Sequence, residues 1–184
     1  MAGPNGSGKS TLTASVTFPG AATVVDPDAI ARKLDPAQPA RAAIPAAREA
    51  ILQCRSLLAS RSSFILESTL AGNGAIALFR AAKRMGYRTS LIYVALGDPE
   101  LHIERVRLRV SRGGHDIPDS DIRRRYWRSL SRAPVVMRLA DETVVLDNSG
   151  SHPERMLMLR SGQLTWRADC PPDWVEELSR ELFR

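Results

Sequence analysis

Short apolar runs alternate along this chain with longer stretches in which apolar residues recur at every third or fourth position. The short runs are rich in Val, Ile, Leu, Phe and Tyr, which predicts strands that are buried on both faces of a sheet. These runs occupy residues 23–26, 63–67, 89–96 and 143–147. Because helical patterns separate them, the chain is expected to form βαβ units and a largely parallel sheet. One or two short strands are predicted to follow, at residues 156–160 and 163–167.

The helical stretches carry recognisable start and stop signals. Asp98 followed by Pro99 is typical of a helix start, because the carboxylate can cap the first turn and proline fits its first position. The helix that begins near Pro118 is expected to end at about Ala133, since Pro134 lacks the backbone donor that a helix interior needs. The predicted helices occupy residues 9–16, 44–61, 75–85, 98–113, 118–133 and 172–183.

The length of the chain sets its domain organisation. With 184 residues, of which 43% are hydrophobic, it is long enough for one α/β domain and too short for two. We predict a single domain over residues 1–184, with a C-terminal β/α extension at about 150–184. No apolar run reaches eighteen residues and no secretory signal pattern opens the chain, so no membrane partner is expected and a cytoplasmic location is predicted.

The charge pattern favours anionic ligands. The formal net charge is +6, and all basic residues except Lys9, Lys33 and Lys83 are arginines. A basic surface fits nucleotides, sugar nucleotides or nucleic acid, and the overall balance alone does not choose among them. Cys54 and Cys170 form no metal-binding or disulfide pattern.

A glycine-rich segment at the start of the chain carries the strongest functional signal. The sequence GPNGSGKST at residues 3–11 matches the GxxxxGK[ST] phosphate-loop pattern at every fixed position. Its glycines allow successive amides to turn toward a phosphate, and the helix that follows directs its positive end there. Lys9 is expected to bridge the β- and γ-phosphates of ATP or GTP, and the Ser10 hydroxyl to coordinate Mg²⁺. The predicted nucleotide-binding residues are Gly3, Pro4, Asn5, Gly6, Ser7, Gly8, Lys9, Ser10 and Thr11.

This motif predicts a P-loop NTPase fold, and the carboxylates and arginines farther along the chain favour the kinase type, with three αβα layers and a mostly parallel sheet. A phosphate loop ordinarily follows a buried central strand, yet only Met1 and Ala2 precede Gly3. The first strand is therefore expected to be missing or truncated. We expect the chain to melt at a lower temperature than a version extended by about eight apolar-rich residues, the length of one strand.

Carboxylates follow two of the predicted strands, where ligands collect in open α/β sheets. Asp28 is the preferred base for an acceptor hydroxyl. Asp26 is the second candidate for that role and could instead cap a helix that begins near Pro27. Glu67 could orient Mg²⁺ through water, bind the acceptor, or be structural, and Thr69 could hydrogen-bond the acceptor.

Nine arginines lie between residues 105 and 132, in a predicted helical lid at about 100–132. Helical geometry separates Arg105, Arg109 and Arg112 from the apolar stripe of the same helix, so these three could face the nucleotide. Guanidinium groups can bind the oxygens of a phosphoryl group during its transfer. A solvated basic face is the alternative explanation for many of the other arginines.

These motifs together resemble the zeta toxin family, in particular its compact bacterial branch of predicted P-loop ATPases. The resemblance spans residues 3–150. Besides the phosphate loop, it depends on Asp-Pro-Asp at 26–28, Glu-Ser-Thr at 67–69, Glu-Arg at 104–105, Gly-Gly-His-Asp-Ile-Pro at 113–118 and Arg-Arg-Tyr at 124–126.

The resemblance implies an ATP-dependent kinase that phosphorylates a sugar hydroxyl of UDP-N-acetylglucosamine or a similar nucleotide sugar, with an antitoxin protein as a partner. By the same motifs, Lys9 and Ser10 would bind triphosphate and metal, Asp28 would be the base, and Glu67 and Thr69 would hold the acceptor. Arg105 and Arg112 match the family's two lid arginines, and Arg109 is an alternative. Two other functions stay open: a kinase of another phosphorylated metabolite or polynucleotide end, and a non-catalytic module that binds ATP or nucleic acid. A nucleic-acid partner is the less favoured of these.

Overall fold

The computed structural model describes residues 1–16 and 23–184, which form a mixed α/β fold. The helices are α1 (Lys9–Ser15), α2 (Pro27–Leu34), α3 (Ala43–Ala59), α4 (Gly74–Arg84), α5 (Pro99–Ser111), α6 (Asp119–Leu139) and α7 (Asp173–Leu182). The strands are β1 (Thr23–Val25), β2 (Phe64–Leu66), β3 (Ser90–Ala95), β4 (Glu142–Asp147), β5 (Glu154–Arg160) and β6 (Gln163–Arg167). All six strands predicted from the sequence are present, and their ends differ from the predictions by two residues at most.

The strands form two groups, and the first residues of the chain join them. Parallel strands β1 and β2 make one group, and the order β3-β4-β5-β6 makes the other, parallel at first and antiparallel after β4. Ala2 lies between the groups and makes parallel bridges to Ser68 and Tyr93. The Ala2 amide donates to the Ile92 carbonyl at 2.8 Å, and the Val94 amide donates to the Ala2 carbonyl at 2.8 Å. The first residues of the chain therefore take the central position between the two groups. The effect of an N-terminal extension on the melting temperature stays a prediction.

Burial is uneven across the sheet. Tyr93, Val94 and Ala95 of β3 are fully buried, as expected for a central strand. The prediction that every strand is buried on both faces is wrong for β1, where Val24 is 47% exposed. The reason is position, because β1 ends the strand order and pairs only with β2.

The largest core cluster packs β3, β4 and β5 against α6 and α7. It includes Tyr93, Val145 and Leu157 from the strands, with Met137 and Val175 from the helices. A second cluster packs α3 and α4 against β1 and β2, and a third lies inside the α5–α6 pair. Among the helices that the structure describes, none is long and apolar enough to span a membrane.

Helix α6 corrects one prediction, because it continues through Pro134 and ends at Leu139 rather than near Ala133. Proline in a helix interior costs about 3 kcal/mol. The turn beyond it places Val136 and Met137 at 0% exposure in the main core. Burial of each such side chain contributes about 1.5–3 kcal/mol, so the two together outweigh the proline.

Candidate functional site

A cleft of about 2100 Å³ opens at the carboxyl ends of β1 and β2. The phosphate loop and the start of α1 form one wall, and the residues that follow β1 and β2 form another. Helix α5 with the turn after it, helix α3 with the segment before it, and the loop after β4 also line the cleft. Sites for one small molecule usually measure about 300–1,000 Å³, so this cleft has room for two ligands.

Most of the predicted site residues line this cleft together. Three residues of the phosphate loop are buried and do not line the cleft, namely Gly3, Pro4 and Ser7. The predicted residues that do line it are Asn5, Gly6, Gly8, Lys9, Ser10, Thr11, Asp26, Asp28, Glu67, Thr69, Arg105, Arg109 and Arg112.

The phosphate loop needs glycine at positions where other elements press against it. Gly6 has φ +77°, and a Cβ there would lie 2.5 Å from the His102 carbonyl oxygen. Gly8 has φ +92°, and a Cβ there would lie 2.6 Å from Nδ2 of Asn148. Both the left-handed backbone and the close contacts exclude larger side chains. The loop is thus clamped between α5 and the segment after β4.

Lys9, Ser10 and Glu67 form the polar floor of the cleft. The Ser10 hydroxyl donates to Glu67 Oε2 at 2.7 Å, and Lys9 Nζ donates to the Pro4 carbonyl at 2.8 Å. Burial lowers the pKa of Lys9 from its ordinary value, while the carboxylates of Asp28, Glu67 and Asp26 act in the opposite direction. The ammonium therefore lies among the acidic side chains of both strand ends.

The oxygen donors at this floor fit Mg²⁺. The ion prefers hard oxygen ligands, keeps several waters, and usually takes only one or two groups from the protein when phosphates supply the others. Ser10 and Glu67 provide a hydroxyl and a carboxylate oxygen in direct contact. No cluster of three or more His, Cys, Asp or Glu side chains suited to a metal occurs in residues 1–16 and 23–184. A nucleotide-dependent Mg²⁺ site needs no such cluster.

The two aspartates after β1 are in different situations. Asp26 is the N-cap of α2: its Oδ1 accepts from the Asp28 amide at 2.9 Å, and its Oδ2 lies 3.6 Å from the Arg32 guanidinium. Burial raises the pKa of Asp26 from its ordinary value. The Asp28 carboxylate lines the cleft and makes no hydrogen bond with any residue that the structure describes. Asp28 is therefore the aspartate whose side chain is available to a ligand.

The three lid arginines also differ. Arg105 donates to the Asn148 carbonyl at 2.6 Å, and Arg109 donates to the His115 carbonyl at 3.0 Å. Arg112 is exposed at the end of α5. His115, in the turn beyond, lines the same cleft as Asp28. Burial lowers the pKa of His115, and the Asp28 carboxylate opposes that change.

Comparison with known proteins agrees with this geometry. The family model described as AAA domain matches residues 1–132, nearly three quarters of the chain. The chain belongs to the AAA domain family. An uncharacterized protein of Haemophilus influenzae is 37% identical to it over 124 residues, which cover 67% of this chain and 88% of that protein.

The fold of this AAA domain also has a counterpart among solved structures. A chain from the molecular and structural characterization of the PezAT chromosomal toxin-antitoxin system of Streptococcus pneumoniae matches with a TM-score of 0.60. The match covers 100% of this chain and 86% of the other at 15% identity. At that identity the likeness shows the fold alone. The P-loop fold expected from the sequence is confirmed.

Three residues that contact the phosphate loop of this AAA domain escaped the sequence reasoning. His102 and Asn148 bind loop carbonyls, and Arg125 donates to Asn5 Oδ1 at 3.1 Å. The sequence offered one sign of a role for His102: it precedes Arg105 by three residues and so lies on the same face of the helix. Contacts between residues 97 to 141 positions apart leave no local pattern.

Proposed function

We propose that this protein is an ATP-dependent phosphotransferase that moves the γ-phosphoryl group to a hydroxyl of a small acceptor. The observation that carries the proposal is the free Asp28 carboxylate, which shares one cleft with Lys9 and the Ser10–Glu67 pair. A carboxylate in this place could act on water as well as on an acceptor hydroxyl, and the room for a second ligand is what favours transfer to an acceptor.

Each group has a role that fits its chemistry. The loop amides and Lys9 bind the β- and γ-phosphates of ATP or GTP. Bound Mg²⁺, held by Ser10 and Glu67, would neutralise charge on the phosphates. Asp28 accepts the proton of the acceptor hydroxyl, whose oxygen forms the new bond to the γ-phosphorus as the bond to the β–γ bridging oxygen breaks. ADP or GDP leaves with that electron pair.

The favoured acceptor is UDP-N-acetylglucosamine or a similar nucleotide sugar. The motif resemblance supports this choice, as does a cleft large enough to hold a second nucleotide. In this proposal Glu67, Thr69 and Asp26 contact the acceptor. Arg105, Arg109 and Arg112 bind the phosphoryl oxygens as charge spreads over them, because planar guanidinium groups suit that task.

The test is incubation of the purified protein with Mg²⁺, ATP or GTP and a panel of acceptors, read by mass spectrometry for one added phosphate. The panel holds nucleotide sugars, other phosphorylated metabolites and an oligonucleotide with a free 5′-hydroxyl, so that the alternative acceptors compete on equal terms. Lys9→Ala serves as the inactive control. Release of ADP without any phosphorylated acceptor would contradict a phosphotransferase and favour a regulatory ATP-binding module.

An antitoxin partner is a further part of this proposal. It is supported by the fold likeness to a chain of a toxin-antitoxin system. A cytoplasmic location, where ATP is supplied, belongs to the same proposal. Co-expression with the product of the neighbouring gene, followed by size-exclusion chromatography, would test the partner. Separate elution of the two proteins would count against it.

A further inference from the structure

The orientation of the backbone carbonyls in the phosphate loop explains why the amides of the loop are free to bind a phosphate. A loop amide can point into the cleft only if the adjoining carbonyl points away, and a buried carbonyl needs a donor there. The Asn5 carbonyl lies 2.7 Å from Nδ1 of His102, and the Ser7 carbonyl accepts from Nδ2 of Asn148 at 2.8 Å. Both donors are side chains from distant segments of the chain.

The chemistry of His102 follows from its two partners. The ring is at 0% exposure, and Nε2 accepts from the Leu96 amide at 3.1 Å. An amide N–H can only donate, so Nε2 carries no proton. Nδ1 must therefore carry the ring proton and donate it to the Asn5 carbonyl. The Leu96 amide thus fixes the tautomer that holds the loop.

The two donors are linked through helix α5. Arg105, one turn after His102, donates to the Asn148 carbonyl at 2.6 Å and so supports the residue that binds Ser7. At the other end, Arg125 of α6 donates to the Asn5 side chain. The first half of α5 therefore contacts the phosphate loop in two ways. His102 contacts the Asn5 carbonyl directly, and Arg105 acts on the Ser7 carbonyl through Asn148.

We propose that His102 and Asn148 are positioning residues, which hold the Asn5 and Ser7 carbonyls outward and so keep the loop amides in place for the β-phosphate of a nucleotide. The inference rests on the nucleotide site of the proposed function and is independent of the acceptor. Without these donors the carbonyls could turn inward, where they would repel phosphate oxygens.

Two substitutions at His102 separate its two hydrogen bonds. The side-chain amide of asparagine can occupy the position of Nδ1, so His102→Asn keeps a donor for the Asn5 carbonyl and loses the acceptor for the Leu96 amide. The amide of glutamine can occupy the position of Nε2, so His102→Gln does the reverse. We expect His102→Gln to raise the Kd for Mg·ATP about tenfold, and His102→Asn to stay within about threefold of wild type, because one such bond is worth about that much.

Stability should follow the opposite order, which a merely structural role would not produce. His102→Asn leaves the buried Leu96 amide without a partner, whereas the Asn5 carbonyl that is released in His102→Gln can turn toward the open cleft. His102→Asn should therefore melt at a lower temperature than His102→Gln. Asn148→Ala, a change outside the core, should also raise the Kd and the KM for ATP about tenfold while changing kcat little. His152→Gln is the control, since His152 is an exposed histidine of the same segment.

Binding is measured by calorimetry with Mg·ATP, so the result does not depend on any phosphoryl transfer. Equal affinities for the two His102 variants, together with an unchanged Kd for Asn148→Ala, would overturn the inference. Should both His102 variants fail to fold, the Asn148→Ala affinity decides alone. A wild-type protein that binds Mg·ATP but phosphorylates no acceptor would contradict the proposed function and leave this inference standing.

Discussion

The two walls of the cleft are built differently. One wall, the nucleotide wall, is the phosphate loop, whose backbone is held by side chains from distant segments: the buried His102 holds Asn5 and the half-buried Asn148 holds Ser7. The loop also packs against α5 at Gly6. The other, the acceptor wall, consists of the residues after β1 and β2 and the end of α5. On the acceptor wall, Asp28 makes no hydrogen bond with any described residue, and Arg112 extends from the exposed end of the lid helix. The amides that would bind a nucleotide are thus held in advance, whereas Asp28 and Arg112, which would meet an acceptor, make no side-chain hydrogen bond with a described residue.

This difference has a physical basis in the two tasks. Every triphosphate presents the same oxygens, so a rigid ring of amides serves all nucleotides and costs no reordering on binding. The acceptor side must close over the reacting groups to exclude water and open again afterwards, which favours a wall that can move. Helix α5 shows both properties along its length: Ile103 and Val106 are buried, while the chain beyond Arg112 turns at Gly113 with φ +88°.

The largest expected effect tests the nucleotide wall. Lys9→Ala removes the charged donor at the floor of the cleft, and transfer should fall about a thousandfold, the loss typical of a donor to developing negative charge. The measurement is the initial rate of ADP formation with saturating acceptor. Lys33→Ala, an exposed lysine on α2, should keep the wild-type rate. Comparable losses in the two variants would indicate a general charge effect.

The next effect tests the acceptor wall. Asp28→Asn removes the proton acceptor without touching a phosphate contact, so transfer should fall about a hundredfold while the Kd for Mg·ATP changes less than twofold. Asp26→Asn is the matched comparison, because its side-chain oxygen can still cap α2. Loss of activity in Asp26→Asn and not in Asp28→Asn would exchange the two assignments.

The two walls also differ in how well the sequence predicted them. The phosphate loop and its helix follow from a local pattern, and the strand ends follow from apolar runs. Helix α6 was predicted too short, because only the core around Val136 and Met137 shows that burial outweighs the cost of Pro134. The partners of the loop could not be predicted, since His102 and Asn148 reach Asn5 and Ser7 only through the fold.

A smaller effect concerns pH and the rigidity of the nucleotide wall. Burial, with further contributions from Lys9 and Arg105, lowers the pKa of His102 from 6.5 to about 4. The unfolded chain therefore binds the extra proton first, and stability contributed by neutral His102 is complete above pH 6.5 and is lost as the pH falls toward 4. The loss should reach about 3.5 kcal/mol at most, from about 1.4 kcal/mol per unit.

That pH dependence is measured by urea unfolding of wild type and His102→Asn between pH 7 and pH 4.5. The free energy of unfolding should fall less steeply in the variant, since asparagine does not titrate. Other titrating groups, such as Asp26 and His115, are present in both proteins. Their contributions therefore cancel when the two free energies of unfolding are subtracted. Parallel curves would show that His102 titrates alike in the folded and the unfolded chain, so that folding does not lower its pKa.

The smallest effect separates the lid arginines, which the sequence left undecided. Arg105 and Arg109 bind carbonyls of the protein itself, whereas Arg112 stands at the exposed end of α5. We therefore expect Arg112→Ala to lower kcat about tenfold, the value of one charge-assisted hydrogen bond to the transferring group, and to leave the Kd for Mg·ATP unchanged. Arg124→Ala, which removes an ion pair with Asp121 on α6, is the control and should keep the wild-type kcat. If Arg105→Ala instead lowers nucleotide affinity through Asn148 and Arg112→Ala has no effect on kcat, the lid arginines belong to the rigid wall and the acceptor side must obtain its positive charge elsewhere.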